Sequence, residues 1–201
     1  MPSPEIRRNI LFLSLCVALS ASAMSLLFTV AAVIGYSLAP DKSLSTLPVA
    51  FTMIAMMLTT APSALMMNRF GRRAVFWVGS GIGMLGALSG MGTVYFGSFW
   101  MLCVACSCIG SANAIAMQYR FAAAEVAPPE FRSRAISLTM LGGLAAAFVG
   151  PNLASFARNW FETVPFLGTF LALIGLQVLL VVVIGQLRLP DTRGRQHDEP
   201  A

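Results

Sequence analysis

Reactive side chains are scarce in this sequence, and their placement excludes most chemistry. Cys103 and Cys106 form a CxxC, but a metal site needs further His, Cys or carboxylate ligands, and the apolar run from Ala74 to Tyr119 holds no His, Asp or Glu. Cys16 and Cys108 also lie inside apolar runs, so the cysteines make no disulfide framework. A serine nucleophile needs a neighbouring base, yet the one histidine, His197, stands in a polar C-terminal tail. No enzyme, metal or cofactor is read.

What remains is hydrogen bonding and charge. Ser107, Ser111 and Gln118 are spaced four and seven apart, within about 40° of one another on a helix of 3.6 residues per turn, while Asn113 points elsewhere. Ser22, Ser25 and Thr29 form a comparable line near the N-terminus. Serine and threonine can bond to their own helix backbone. The amides of Asn113 and Gln118 are costlier to leave unpaired in an apolar medium, and are the stronger candidates to contact a ligand. Charge gathers in two short segments. One holds Asn68, Arg69, Gly71, Arg72 and Arg73, in which glycine permits a tight reversal and the guanidinium groups can clamp helix ends. The other holds Arg120 and Glu125.

The elements that must position these groups follow from composition. Of 201 residues, 57% are hydrophobic and 10% charged, against about a quarter charged in soluble domains. Uncharged runs cover residues 10–36, 43–67, 74–119, 135–157 and 163–187. The third would be about 69 Å long as a helix, twice what about 30 Å of hydrocarbon needs, so it must turn back once. Gly97 and Ser98, flanked by Tyr95, Phe96, Phe99 and Trp100, mark the place. Six membrane helices are therefore expected, over residues 10–36, 44–67, 74–95, 99–122, 135–157 and 163–187. Residues 1–9 form a cytoplasmic N-terminus and 188–201 a disordered cytoplasmic tail. The start imitates a secretory signal, with Arg7 and Arg8 ahead of an apolar stretch and then Ala21, Ser22 and Ala23. The uncharged run continues to Tyr36, long enough to span, so an uncleaved first helix is expected.

Basic residues fix the expected orientation, because lysine and arginine stay on the cytoplasmic side. With both termini inside, Arg7, Arg8, Arg69, Arg72, Arg73, Arg132, Arg134, Arg188, Arg193 and Arg195 share the inner face. Lys42 and Arg158 alone lie outside, and Arg120 is expected to snorkel inwards from the end of the fourth helix. This accounts for the net charge of +5 without nucleic acid, for which no basic stripe with exposed aromatics exists. Gly79, Gly83, Gly86 and Gly90 read as a packing stripe. Pro62 and Pro151 fall at corresponding points of the second and fifth helices, a hint of two inverted halves.

The segment ALMMNRFGRRAVF resembles the signature loop between the second and third helices of the major facilitator superfamily, with Ala64 in place of its leading glycine and Asn68 in place of its acidic residue. The segment YRFAAAEVAPPEFRSRAISL is similar to the loop joining the fourth and fifth helices in bacterial members. There the resemblance implies that Glu125 pairs with Arg72 or Arg73 and gates the inner side. TMLGGLAAAFVGPNLAS resembles the Gly-Pro antiporter motif of the fifth helix, centred on Gly150 and Pro151, with Ala146, Ala154 and Ser155 replacing glycines. At the place of the fourth-helix arginine of proton-coupled exporters stands Cys106.

The resemblance implies an all-α membrane bundle, a 3+3 inverted repeat that makes half of a twelve-helix transporter. It also implies a bacterial inner-membrane location, a small solute bound near the first and fourth helices, and a second six-helix half from a copy or a separate chain. The rival reading is a non-transporting scaffold or a truncated, inactive fragment.

Overall fold

The computed structural model describes residues 4–158, 160 and 166–187. All regular structure among them is helical: α1 (Pro4–Leu38), α2 (Leu47–Phe70), α3 (Arg72–Phe96), α4 (Phe99–Ala116), α5 (Tyr119–Val126), α6 (Arg132–Arg158) and α7 (Leu167–Gln186), with 3-10 turns at Lys42–Leu44 and Pro129–Phe131. Six stretches are long and apolar enough to cross a membrane, α4 and α5 together making the fourth. The chain is thus a multi-pass, all-α membrane protein. Arg188, Arg193, Arg195, His197 and the rest of the expected tail, with residues 163–165 of the sixth expected helix, lie outside the described residues.

The helices outrun the uncharged stretches. α1 begins at Pro4 and carries Glu5, Arg7 and Arg8, and α6 begins at Arg132. A helix need not stop where hydrocarbon stops, because its backbone hydrogen bonds continue into the headgroup zone. The reversals are sharp where glycine allows it. Gly97, between α3 and α4, is left-handed at φ 59°, ψ 29°. Between α1 and α2, Asp41 accepts a hydrogen bond from the Ser43 amide at 3.0 Å, which holds its carboxyl below the ordinary range. Lys42 there donates to the Tyr36 carbonyl at 2.8 Å.

Packing follows the pattern of two related halves. Besides α3 with α4, the most extensive helix pairs are α1 with α6 and α2 with α4, that is, the first span with the fifth and the fourth with the second. Exchanging the halves turns one pair into the other, as an inverted repeat requires. Glycine makes the closest approach in both: Gly142 of α6 meets the Ser14 carbonyl of α1, and Gly110 of α4 meets the Thr52 carbonyl of α2. On α3 the glycine stripe receives side chains, Ile115 at Gly79, Gln177 at Gly83, Cys108 and Ile109 at Gly86, and Phe170 at Gly90. Small residues here let dispersion contacts form where the hydrophobic effect offers nothing between lipid-bathed helices.

α1, α4 and α7 are the well-buried elements, and on α1 Leu13, Leu26 and Leu27 are sealed in the core. α2 and α6 are the opposite. Leu58, Leu65, Leu144, Phe148 and Phe156 are each more than 60% exposed, an apolar surface that water would not tolerate and that hydrocarbon or another apolar bundle would.

Candidate functional site

The fourth span is not one uninterrupted helix. Around Met117 and Gln118 the ladder tightens: Gln118 N–H donates to Ile115 O at 3.0 Å and Phe121 N–H to Gln118 O at 3.1 Å, three residues back in each case. A short 3-10 step within a helix shifts the phase of the residues beyond it and often marks a functional hinge. Here it separates α4 from α5 beside an open cavity of about 590 Å³ lined by α1, α6 and the α4–α5 junction. This lies within the range of about 300–1,000 Å³ common to small-molecule sites.

Two faces of the fourth span have exchanged their expected roles. Asn113, Ala116, Met117 and Arg120, spaced three, four and seven apart, line the cavity. Ser107, Ser111 and Gln118 are not among its lining residues. Ser111 instead accepts a hydrogen bond from Thr59 of α2 at 2.9 Å, and Ser107 donates to the Cys103 carbonyl of its own helix at 2.8 Å. Of the three, Ser111 is thereby turned to α2, while Gly110 lets the same helix approach the Thr52 carbonyl. Asn113 Nδ2 lies 3.6 Å from the Met56 sulfur. Sulfur is a weak acceptor, so the amide keeps capacity for a ligand.

On α1, Ser25 and Thr29 reach the cavity, with Thr29 also donating to the Ser25 carbonyl at 2.9 Å. Ser22 is buried, and its carbonyl faces Gly150 of α6. Gly150 therefore brings α6 against α1 one residue before Pro151, which sits inside a helix that runs on through it. Met24, Phe28 and Met140 make the wall largely apolar.

Arg120 does not simply snorkel out of the bundle. Its side chain lines the cavity and its Nε is buried without a hydrogen-bond partner. The guanidinium carbon lies 5.1 Å from the Phe121 ring.

At one end of the bundle the α2–α3 turn gathers the other charges. Gly71 closes α2 and opens α3 at φ 86°, ψ 155°, a conformation that essentially only glycine adopts. The turn projects Arg72 onto Glu125 of α5, where Nη2 donates to Oε1 in a partly exposed ion pair. Arg73 approaches the Gly185 carbonyl near the end of α7 at 3.5 Å. Arg69 lies over the ring of Phe70, 5.7 Å from its centroid, and Asn68 is exposed on the last turn of α2. Three non-adjacent segments thus meet at one end.

Sequence reasoning missed Gln177 of α7, which is 3% exposed and packs on Gly83 with its Oε1 unpartnered. The signal was available: it is an amide in the middle of the last apolar run, whose other amide, Gln186, stands at its end. Thr139, also unremarked, lines the cavity but satisfies its hydroxyl on the Ala135 and Ile136 carbonyls of α6.

Comparison with known proteins agrees with this architecture. The riboflavin transporter RfnT of Brucella anthropi is 34% identical over 187 residues, covering 93% of this chain and 47% of that protein. The uncharacterized MFS-type transporter YdeG of Bacillus subtilis is 28% identical over 193 residues, covering 92% of this chain and 44% of that protein. The chain thus spans about half the length of these relatives. The family model described as Major Facilitator Superfamily matches residues 13–201. With six spans, a glycine-arginine turn between the second and third, and a cavity between the first, fourth and fifth, the chain belongs to the major facilitator superfamily.

Proposed function

We propose that this chain supplies one six-helix half of a secondary transporter that moves a small organic solute across the bacterial inner membrane by alternating access. The observation that carries the reading is the cavity of about 590 Å³, framed by the closely packed first and fifth spans and offering Ser25, Thr29 and Asn113 amid apolar walls. A few hydrogen-bonding groups in a mostly apolar pocket fix orientation without binding too tightly to release. The similarity to a riboflavin transporter makes riboflavin the first solute to test; Met24, Phe28, Met117 and Met140 suit the faces of a flat ring system.

A second six-helix bundle, a copy or a separate chain, completes the site by packing on the exposed apolar faces of α2 and α6. Both termini are cytoplasmic in this reading. The Arg72–Glu125 pair then lies at the inner end, where it holds the turn against α5 in one state and opens in the other.

The test is riboflavin uptake into vesicles containing the protein together with whatever second bundle it assembles with. Ala147→Phe places a ring in the cavity and should abolish uptake while insertion and amount stay normal; Asn113→Ala should raise KM about tenfold. Uptake unaffected by Ala147→Phe would remove this cavity from the transport path.

A further inference from the structure

Within the cavity, charge is unbalanced. Among the described residues Arg120 is the one charged residue lining it; the others are apolar, glycine, hydroxyl or amide residues. A guanidinium stays cationic and carries five donors in a rigid fork. Its Nε has no solvent-accessible surface and no partner. The acidic residues among the described residues are Glu5, Asp41, Glu125 and Glu130, and none lines the cavity. Glu125, five residues away in sequence, is taken by Arg72. Holding a cation at an apolar wall is costly unless something pairs with it; the Phe121 ring lies over the guanidinium carbon at 5.1 Å, and no acidic side chain among the described residues lines the cavity to balance the charge.

We propose that the cavity selects solutes bearing an anionic group, a carboxylate or a phosphate monoester, which docks on the Arg120 fork while the rest of the molecule lies along Phe28 and Met24. This rests on the solute-cavity reading above and adds a preference within it: an anionic relative of a flat solute binds better than the neutral one, riboflavin included. Asn113, about two helical turns away along the same wall, supplies a neutral hydrogen bond to the same ligand.

The test reads the potential of the cavity before any solute is known. Ser25→Cys, in protein whose four native cysteines are replaced, is reconstituted in phosphatidylcholine discs and labelled with anionic and cationic methanethiosulfonates of matched size. The anionic reagent should be favoured, and Arg120→Gln should lower the anionic-to-cationic rate ratio about tenfold, with Arg120→Lys restoring most of it. An unchanged ratio in Arg120→Gln overturns the proposal even if uptake through the cavity is intact.

The second arm uses flavin mononucleotide and riboflavin, which share a ring system and differ by a phosphate. The phosphorylated probe should protect Ser25→Cys from N-ethylmaleimide at about tenfold lower concentration, and the advantage should vanish in Arg120→Gln. Equal protection by both probes, retained in Arg120→Gln, leaves the transport reading standing and sinks the anionic one. Discs containing phosphatidylglycerol without any flavin separate the sources: protection there would assign the docked anion to a lipid headgroup and also overturn the solute proposal.

Discussion

Small residues do opposite work on the two sides of this bundle. Along α3, Gly79, Gly83 and Gly90 are filled to contact by Ile115, Gln177 and Phe170, and the α3–α7 side is closed. Along α6, Gly143, Ala146 and Ala147 face the cavity, and a methyl added at Gly143 would meet only Val17, at an ordinary 3.5 Å. A small side chain in a membrane helix is therefore an invitation that a neighbour either accepts or leaves open. Where a large residue stands opposite, the result is rigidity; where none does, it is room for a solute. The difference resides in the helices opposite, α4 and α7 on the one side and α1 on the other, not in the small residues.

This contrast predicts unequal tolerance of the same kind of substitution. Gly90→Val forces a branched side chain into the Phe170 ring and should cost about 3 kcal/mol, read as a large drop in thermal unfolding temperature in detergent. Ala147→Phe, on the open side, should leave that temperature within the range of ordinary surface changes while it blocks transport. If the two variants destabilise alike, the closed and open sides are not distinct. Next in size is Gly71→Ala, at a backbone position of φ 86° and ψ 155°, for which about 1–3 kcal/mol of strain is expected in the same assay. An unaltered melting temperature would show that the turn relaxes without glycine.

The closed side was more legible in the sequence than the open one. Hydrocarbon demands long uncharged runs, so six helices, the doubled third run and the Gly97–Ser98 reversal could be read from residue type alone. The glycine stripe of α3 was equally plain. The facing of the fourth span was not. Spacing gives the angle of Ser107 relative to Ser111 or Gln118, but the absolute rotation is set by Thr52 and Thr59 of α2, which no local pattern reveals. The polar face of α4 consequently looked like the cavity face, and Arg120 looked like an interfacial anchor. Gln177 shows the converse: an amide in the middle of an apolar run marks a buried contact, and only its partner, Gly83, needed the fold.

The smallest stability effect belongs to the ion pair that ties the α2–α3 turn to α5. Glu125 is about half exposed and Arg72 one-fifth exposed, and pairs so open to solvent contribute about 0–1 kcal/mol. Glu125→Gln keeps an acceptor in place and removes the charge, so global stability should move by less than about 1 kcal/mol. The conformational equilibrium is another matter. Arg72 Nη1 is buried without a partner, so the Nη2 bond to Glu125 is the one hydrogen bond recorded for this guanidinium among the described residues. A loss of about 1 kcal/mol there shifts a two-state ratio about fivefold. The rate at which a membrane-impermeant thiol reagent reaches Ser25→Cys from the side of the membrane that carries the pair should therefore rise about fivefold in Glu125→Gln with the melting temperature hardly changed. Equal rates in parent and variant would mean that the pair only fastens the end of the bundle, and that opening is governed by the faces of α2 and α6 instead.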